Sequence, residues 1–320
     1  MAAMTEISEI WLRSTRTQLK YLLDVLDHHD QPLIAAHLAT VIECLDTQPK
    51  STSVPPATVG DHVSLPPLME PGMFDGINPL IAKLSRVMTL SRDDCAALQA
   101  LCQDVRQTAA RRDIIRDGDR PDRVHLILNG WACRYKILKN GKRQITALLL
   151  PGDFCDLHVG ILDKMDHAIG AITATTFAYV DRSQFDELTR ARPAIVRALW
   201  WATLVDEGVL RSWIVSLGVR TARERVAHLI CELRERMRNI DREDAGRFAM
   251  PLTQVDLAEA LGLTAVHINR VVRQLHKEQV VEIRKGQVTV LDLAALTRIA
   301  EFDPGYLHPQ AINRFEAVSG

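Results

Sequence analysis

The apolar positions of this chain keep a helical period at both ends and lose it in the middle. Leu12, Leu19, Leu22, Leu23 and Leu26 recur at helical spacing, and so do Ile34, Leu38, Val41, Ile42 and Leu45. The polar break His28–Pro32 separates them, so residues 1–46 are expected to form a helical hairpin. A hairpin of that size buries too little surface to hold a core alone, and it is expected to dock or dimerise. Residues 47–76 carry Pro49, Pro55, Pro56, Pro66, Pro67 and Pro71 and read as a linker. Residues 77–104 return to a helical period. Ser91 followed by Asp94 predicts a capped helix with Cys95, Leu98, Leu101 and Cys102 inside.

From about 106 to 182 the pattern becomes short runs of branched residues: Val124–Leu128, Ala132–Leu138, Gln144–Leu150 and Ala174–Val180. Turn residues separate these runs, and Asn140-Gly141 marks a hairpin. Many short strands with regular turns predict a small antiparallel barrel or roll, within a domain over 77–192. Residues 193–217 then form an apolar helix. Val196, Trp200, Thr203, Glu207, Leu210, Ile214 and Leu217 alternate steps of four and three, which is the spacing of a coiled-coil seam. The other apolar residues of this helix lie on a second face. Such a helix must be covered on two sides, which predicts one face on the roll and the other on a second subunit. A central helix in a monomeric core is the alternative.

Residues 220–239 predict another helix, and 240–247 a polar loop. Thr253 can cap a helix ending at Leu261, Gly262 permits a sharp turn, and Thr264 can cap a second helix running to Lys277. Leu257, Ala260, Leu261, Leu263, Ile268, Val271 and Leu275 suit an inward face. A hairpin over 280–291, turning at Lys285-Gly286, and a helix over 293–301 follow. Two capped helices joined by a short glycine turn predict a helix-turn-helix.

Composition adds little until it is read locally. The 320 residues are 47% hydrophobic and 25% charged, with formal net charge −1, an ordinary globular balance. No apolar run is long enough for a membrane helix, and residues 1–14 lack the unbroken stretch of a secretion signal, so a cytoplasmic protein is expected. Between 264 and 285, however, Arg270, Arg273, Lys277, Arg284 and Lys285 face only Glu278 and Glu282. A local positive footprint on a neutral protein, displayed beside His267, Asn269 and Gln274, suits duplex DNA. The bland reading is a solvated helix in a helical bundle. No two of the six cysteines (44, 95, 102, 133, 155 and 231) stand at C-x₂-C spacing, and no nucleophile–base set or phosphate-cradling loop is visible. The chain is accordingly not read as an enzyme.

Residues 75–300 resemble the Crp/Fnr family of bacterial transcription regulators. The resemblance rests on the PGDF turn (151–154), RTARERVAHLICEL (220–233) and LTQVDLAEALGLTAVHINRVVRQL (252–275). It implies an α+β chain with a cyclic-nucleotide-binding-like roll, a dimerisation helix (193–217), a winged helix-turn-helix (218–302) and a tail (303–320). It also implies a homodimer reading an inverted repeat, with RNA polymerase as a partner. Arg270 matches the arginine of the family's recognition helix, Thr253 and Thr264 match phosphate-contact positions, and Val266 replaces a glutamate four residues before that arginine. His267, Asn269, Arg273 and Lys285 complete the expected DNA surface. Val266 can meet a thymine methyl rather than cytosine N4, so the family's half-site does not transfer.

Two cofactors of the family fit poorly. Its cyclic-AMP readers carry Gly-Glu-Leu after the GDF turn and an Arg-Ser pair beyond it. Here the run is GDFCDLHVG, and no arginine occurs between Arg143 and Arg182. A buried phosphate without a counter-charge is costly, which argues against cyclic AMP held in the family manner. The N-terminal cysteine cluster of the iron–sulfur subtype is represented only by Cys44. Cys155, Asp156, His158, Asp163, Asp166 and His167 mix ligand types at no compact spacing and read as a loop between strands. The effector stays unknown at this level. A small-molecule sensor or scaffold working through its N-terminal helices is the rival reading.

Overall fold

The computed structural model describes residues 78–157, 164–240 and 242–309. The expected hairpin over 1–46, the linker over 47–76 and the end of the tail lie outside them. Asn78 caps α1 (Pro79–Ser85). The expected capping box opens α2 (Arg92–Leu101): Ser91 Oγ accepts from Asp94 N, and the Asp94 carboxylate accepts from Ser91 N.

The roll is built from β1 (Val105–Thr108), β2 (Asp113–Ile115), β3 (Arg123–Asn129), β4 (Ala132–Ile137), β5 (Arg143–Leu149), β6 (Ala168–Ala171) and β7 (Thr175–Asp181). They form two antiparallel sheets, in the orders β1-β7-β3 and β2-β6-β4-β5. Leu126, Ile127, Leu128, Ile145, Leu148 and Ile169 fill the space between, each fully buried. Burial of such side chains stabilises by roughly 1.5–3 kcal/mol apiece before entropy is set against it. Strands β1, β2 and β6 fall outside the four expected runs. Strand β6 is buried at all four positions and so shows no alternation to read.

Helix α3 (Arg182–Ala191) leads into α4 (Pro193–Val219), whose 27 residues span about 40 Å. Helix α4 runs two residues beyond its expected end. Thr221 and Glu224 form the capping box of α5 (Ala222–Arg238). The segment expected as a polar loop instead contains β8 (Glu243–Asp244) and the start of β9 (Arg247–Ala249). These pair with β10 (Val281–Arg284) and β11 (Gln287–Val290) in a four-stranded wing sheet, order β10-β11-β9-β8. Helices α6 (Gln254–Leu261) and α7 (Ala265–Lys277) precede the wing hairpin, and α8 (Leu293–Ala300) follows it. A 3-10 turn, Pro304–Leu307, then folds back onto α4. A Cβ on Gly208 of α4 would lie 2.7 Å from Tyr306 O, so only glycine allows this approach.

Candidate nucleic-acid interface

The helix-turn-helix assembles as its local chemistry dictates. Thr253 Oγ1 accepts from Asp256 N at 3.1 Å, while the Asp256 carboxylate accepts from Thr253 N at 2.8 Å. Gly262 ends α6 at φ +62°, the left-handed conformation that L side chains resist. Thr264 Oγ1 then accepts from His267 N at 3.2 Å and starts α7. Ile268, Val271 and Leu275 on α7 pack against Leu257, Ala260 and Leu261 of α6, all buried, with Leu263 half-buried between the helices.

That packing decides what α7 shows to solvent. Val266, Arg270, Arg273 and Lys277 follow steps of four, three and four, so they share one stripe. Val266, Arg270 and Arg273 are exposed along it. Val266 is 69% exposed, an apolar surface suited to a base methyl group. His267 and Asn269 flank the stripe; Asn269 is half-buried. Gln274 is exposed and donates to Glu278, which Arg223 also holds. Thr253 and Thr264 stand at the N-termini of α6 and α7, where unpaired amides and the helix dipole favour an anion. Lys285 is exposed at the tip of the β10–β11 turn.

The structure adds residues that local pattern did not single out, because they join segments far apart in the chain. Arg111 makes a two-pronged ion pair with Asp256, at 2.5 and 2.8 Å, across 145 residues. Arg143 pairs with Glu259, and Gln144 donates to Ala260 O. Asp256, Glu259 and Ala260 therefore give α6 one side that sits on the roll. Arg236 of α5 donates to Asp153 at 2.7 Å and to Leu148 O at 2.8 Å, another tie from the helical domain to the PGDF turn. Burial works against the charge on Asp153, but Lys83 and Arg236 outweigh it and hold the carboxyl down at about 2. Arg225, within the RTARERV run, donates to Leu217 O and Leu261 O at 3.0 Å each, satisfying carbonyls near the C-termini of α4 and α6 together.

Helix α4 has two unlike faces. Ile195, Leu199, Trp201, Val205, Val209 and Trp213 are buried, and Trp213 Nε1 donates to Glu232 at 3.1 Å. The other side exposes Trp200 (63%), Leu210, Ile214 (69%) and Leu217, all four on the expected seam. Val196 and Thr203 are half-buried at its edge, and the Thr203 hydroxyl donates to Leu199 O. Leu204, exposed and next to Thr203, extends the seam although the four-and-three spacing passes over it.

Among the described residues around Pro151–Phe154 and the adjoining strand, the cations that reach the turn are paired. Arg134 donates to Phe154 O and pairs with Asp206 of α4, while Lys83 and Arg236 share Asp153. Asp156, expected in a loop between strands, is buried and accepts from His125 N at 2.8 Å, with His125 Nδ1 2.9 Å from its other oxygen. Among the described residues no group of three or more His, Cys, Asp or Glu could hold a metal, and their five cysteines are free thiols. Cys44, His158 and Asp163 lie outside the described residues. No helix among the described residues is long and apolar enough to cross a membrane.

Residues 105–192 match the Cyclic nucleotide-binding domain family, and residues 224–299 match the Crp-like helix-turn-helix domain. The chain is 33% identical over 205 residues to the transcriptional activator protein FnrL of Cereibacter sphaeroides, covering 62% of this chain and 81% of that one. It is 30% identical over 175 residues to the nitrogen fixation regulation protein FixK of Bradyrhizobium diazoefficiens, covering 54% and 72%. The solved structure of FixK2 from Bradyrhizobium japonicum superposes with TM-score 0.55 at 26% identity, over 61% of this chain and 96% of that one. With its antiparallel roll, long helix and helix-turn-helix in that order, the chain belongs to the Crp/Fnr family of DNA-binding transcription regulators.

Proposed function

We propose that this regulator acts in the cytoplasm as a homodimer, joined along the exposed seam of α4, and reads an inverted repeat by placing one α7 from each subunit in successive major grooves. The observation that carries this reading is the division of α7 into a buried apolar side and an outward stripe of Val266, Arg270, Arg273 and Lys277. An α-helix fits the major groove, and Arg can bond guanine O6 and N7 together. A two-fold dimer places its recognition helices about one DNA turn apart, which sets the spacing of the half-sites. Thr253, Thr264 and Lys285 hold phosphates, His267 and Asn269 border the base-reading stripe, and RNA polymerase is the partner at the promoter. The signal enters through the roll and reaches the reading helices through α4 and the charged contacts onto α6. The rival reading, a sensor acting through its first 46 residues, needs no DNA preference.

Selection from a random duplex pool tests this. The wild type is expected to enrich an inverted repeat. Arg270→Ala is expected to lose ~1–3 kcal/mol of specific binding and to relax the choice at one position per half-site. A wild-type pool without an enriched repeat would favour the rival.

A further inference from the structure

The turn that joins β1 to β2 holds Arg111 at φ +63°, in the left-handed region. A non-glycine residue rests there only when its surroundings fix it. They do so here: Arg111 N donates to Ala171 O and Ala171 N donates to Arg112 O, both at 2.8 Å. The pinned backbone sends the Arg111 side chain to α6 of the DNA-binding domain. Its guanidinium uses two N–H groups on Asp256. The oxygen of Asp256 that accepts from Arg111 Nη2 also accepts from Thr253 Oγ1 at 2.7 Å. Arg111 and the N-cap of α6 thus stand on either side of one oxygen atom.

The two partners differ in what they leave free. Asp256 is 2% exposed and spends its carboxylate on Arg111 and Thr253. Arg111 keeps a side chain 49% exposed, and a guanidinium has five N–H groups, of which three here have no other partner among the described residues. Arg112, next in the chain, is exposed too. The Thr253 hydroxyl proton is spent on Asp256, so an anion approaching the open amides at the start of α6 meets this half-used guanidinium beside them. In a helix-turn-helix it is the first helix that crosses the sugar–phosphate backbone.

We propose that Arg111, a residue of the sensor roll, contacts the same DNA phosphate as the N-terminus of α6, so that the roll forms part of the DNA-binding surface. This rests on the reading above that α6 and α7 engage duplex DNA. A strand held jointly by the two domains makes DNA affinity depend on where the roll sits against α6. Arg111 also neutralises Asp256, which would otherwise set a bare carboxylate beside the phosphate. The competing role is a purely internal one, in which Arg111 only holds α6 against the roll.

The full chain is titrated against its selected duplex and a scrambled duplex at several salt concentrations. Arg111→Gln is expected to weaken both about five-fold or more. It is also expected to reduce the log–log salt slope by about 0.9 for each phosphate that is no longer neutralised, two per dimer. Base preference is expected to stay unchanged. Asp256→Asn breaks the same pair but leaves the cation, and it is expected to bind as tightly as wild type or tighter. Arg111→Lys keeps a cation and is expected to keep the slope. If Arg111→Gln and Asp256→Asn shift affinity in the same direction, or if Arg111→Gln matches wild type in affinity and slope, the phosphate contact is overturned. A wild type that selects no inverted repeat sinks the DNA reading itself, which separates the two failures.

Discussion

Helices α4 and α7 are each buried on one side and bare on the other, yet what they leave bare is opposite in character. Helix α4 exposes Trp200, Leu204, Leu210 and Ile214, whereas α7 turns Arg270, Arg273 and Lys277 outward with one valine. Both buried sides are ordinary core, so packing inside the chain does not explain the difference. A continuous apolar face in water carries a free-energy penalty that a second apolar face removes. A cationic face in water carries none, and gains when counterions leave a polyanion. On the function proposed above, one helix is shaped for a second subunit and the other for a nucleic acid.

Making the two bare faces alike breaks the comparison most severely. Leu210→Lys with Ile214→Lys puts cations on the α4 seam. Monomers are expected in sedimentation, and affinity for a full inverted repeat is expected to fall on the order of 1000-fold, since each half-site then binds alone. Far-UV circular dichroism is expected to be unchanged, because both residues point away from the core. Dimers that persist would show that the seam lies elsewhere.

The covered side of α4 is sharpened by pH. His228 of α5 is 2% exposed. It lies against Phe302 and the stacked ring of Tyr306, with Ser212 Oγ 3.4 Å from Nε2. Burial, helped by the charge of Arg220, lowers its pKa from 6.5 to about 4. The folded state therefore holds the neutral ring where the unfolded chain binds a proton. The stability this confers is complete above pH 6.5 and is lost as pH falls toward 4, by roughly 2–3 kcal/mol. Between pH 7 and pH 4 the unfolding free energy from denaturant melts is expected to drop less for His228→Phe than for wild type. Equal drops would mean the ring is reached by water.

The α7 half of this contrast was legible from sequence and the roll contacts were not. Ile268, Val271 and Leu275 recur at helical spacing, Thr264 and Gly262 bound the helix, and its cations fall between, so one short window carries both the fold and the outward cationic stripe. The Ser91 cap and the Asn140-Gly141 hairpin were visible for the same reason. Strand β6 gave no such signal, because Ala168, Ile169, Gly170 and Ala171 are all buried and small residues dominate. Contacts between distant segments have no period at all. Nothing near Arg111 announces Asp256, nothing near Arg143 announces Glu259, and His125 sits in an apolar run without a hint of Asp156. Leu204 reads as apolar from sequence, but a helix greasy on two sides leaves its face ambiguous by one residue.

The smallest expected effect separates the reading stripe from the helix that carries it. The Thr264 hydroxyl accepts from His267 N and so closes one of the open amides of α7. Thr264→Ala is expected to lower stability by about 1 kcal/mol through the lost cap. DNA affinity is expected to fall slightly and equally for selected and scrambled duplexes, because the proposed phosphate ligand goes and the proposed base-reading side chains stay. Thr264→Ser restores the hydroxyl and is expected to recover both. A change in base preference for Thr264→Ala would instead mean that the cap sets the angle at which Arg270 enters the groove, and the cationic face of α7 would then depend on its first turn as closely as the α4 seam depends on its register.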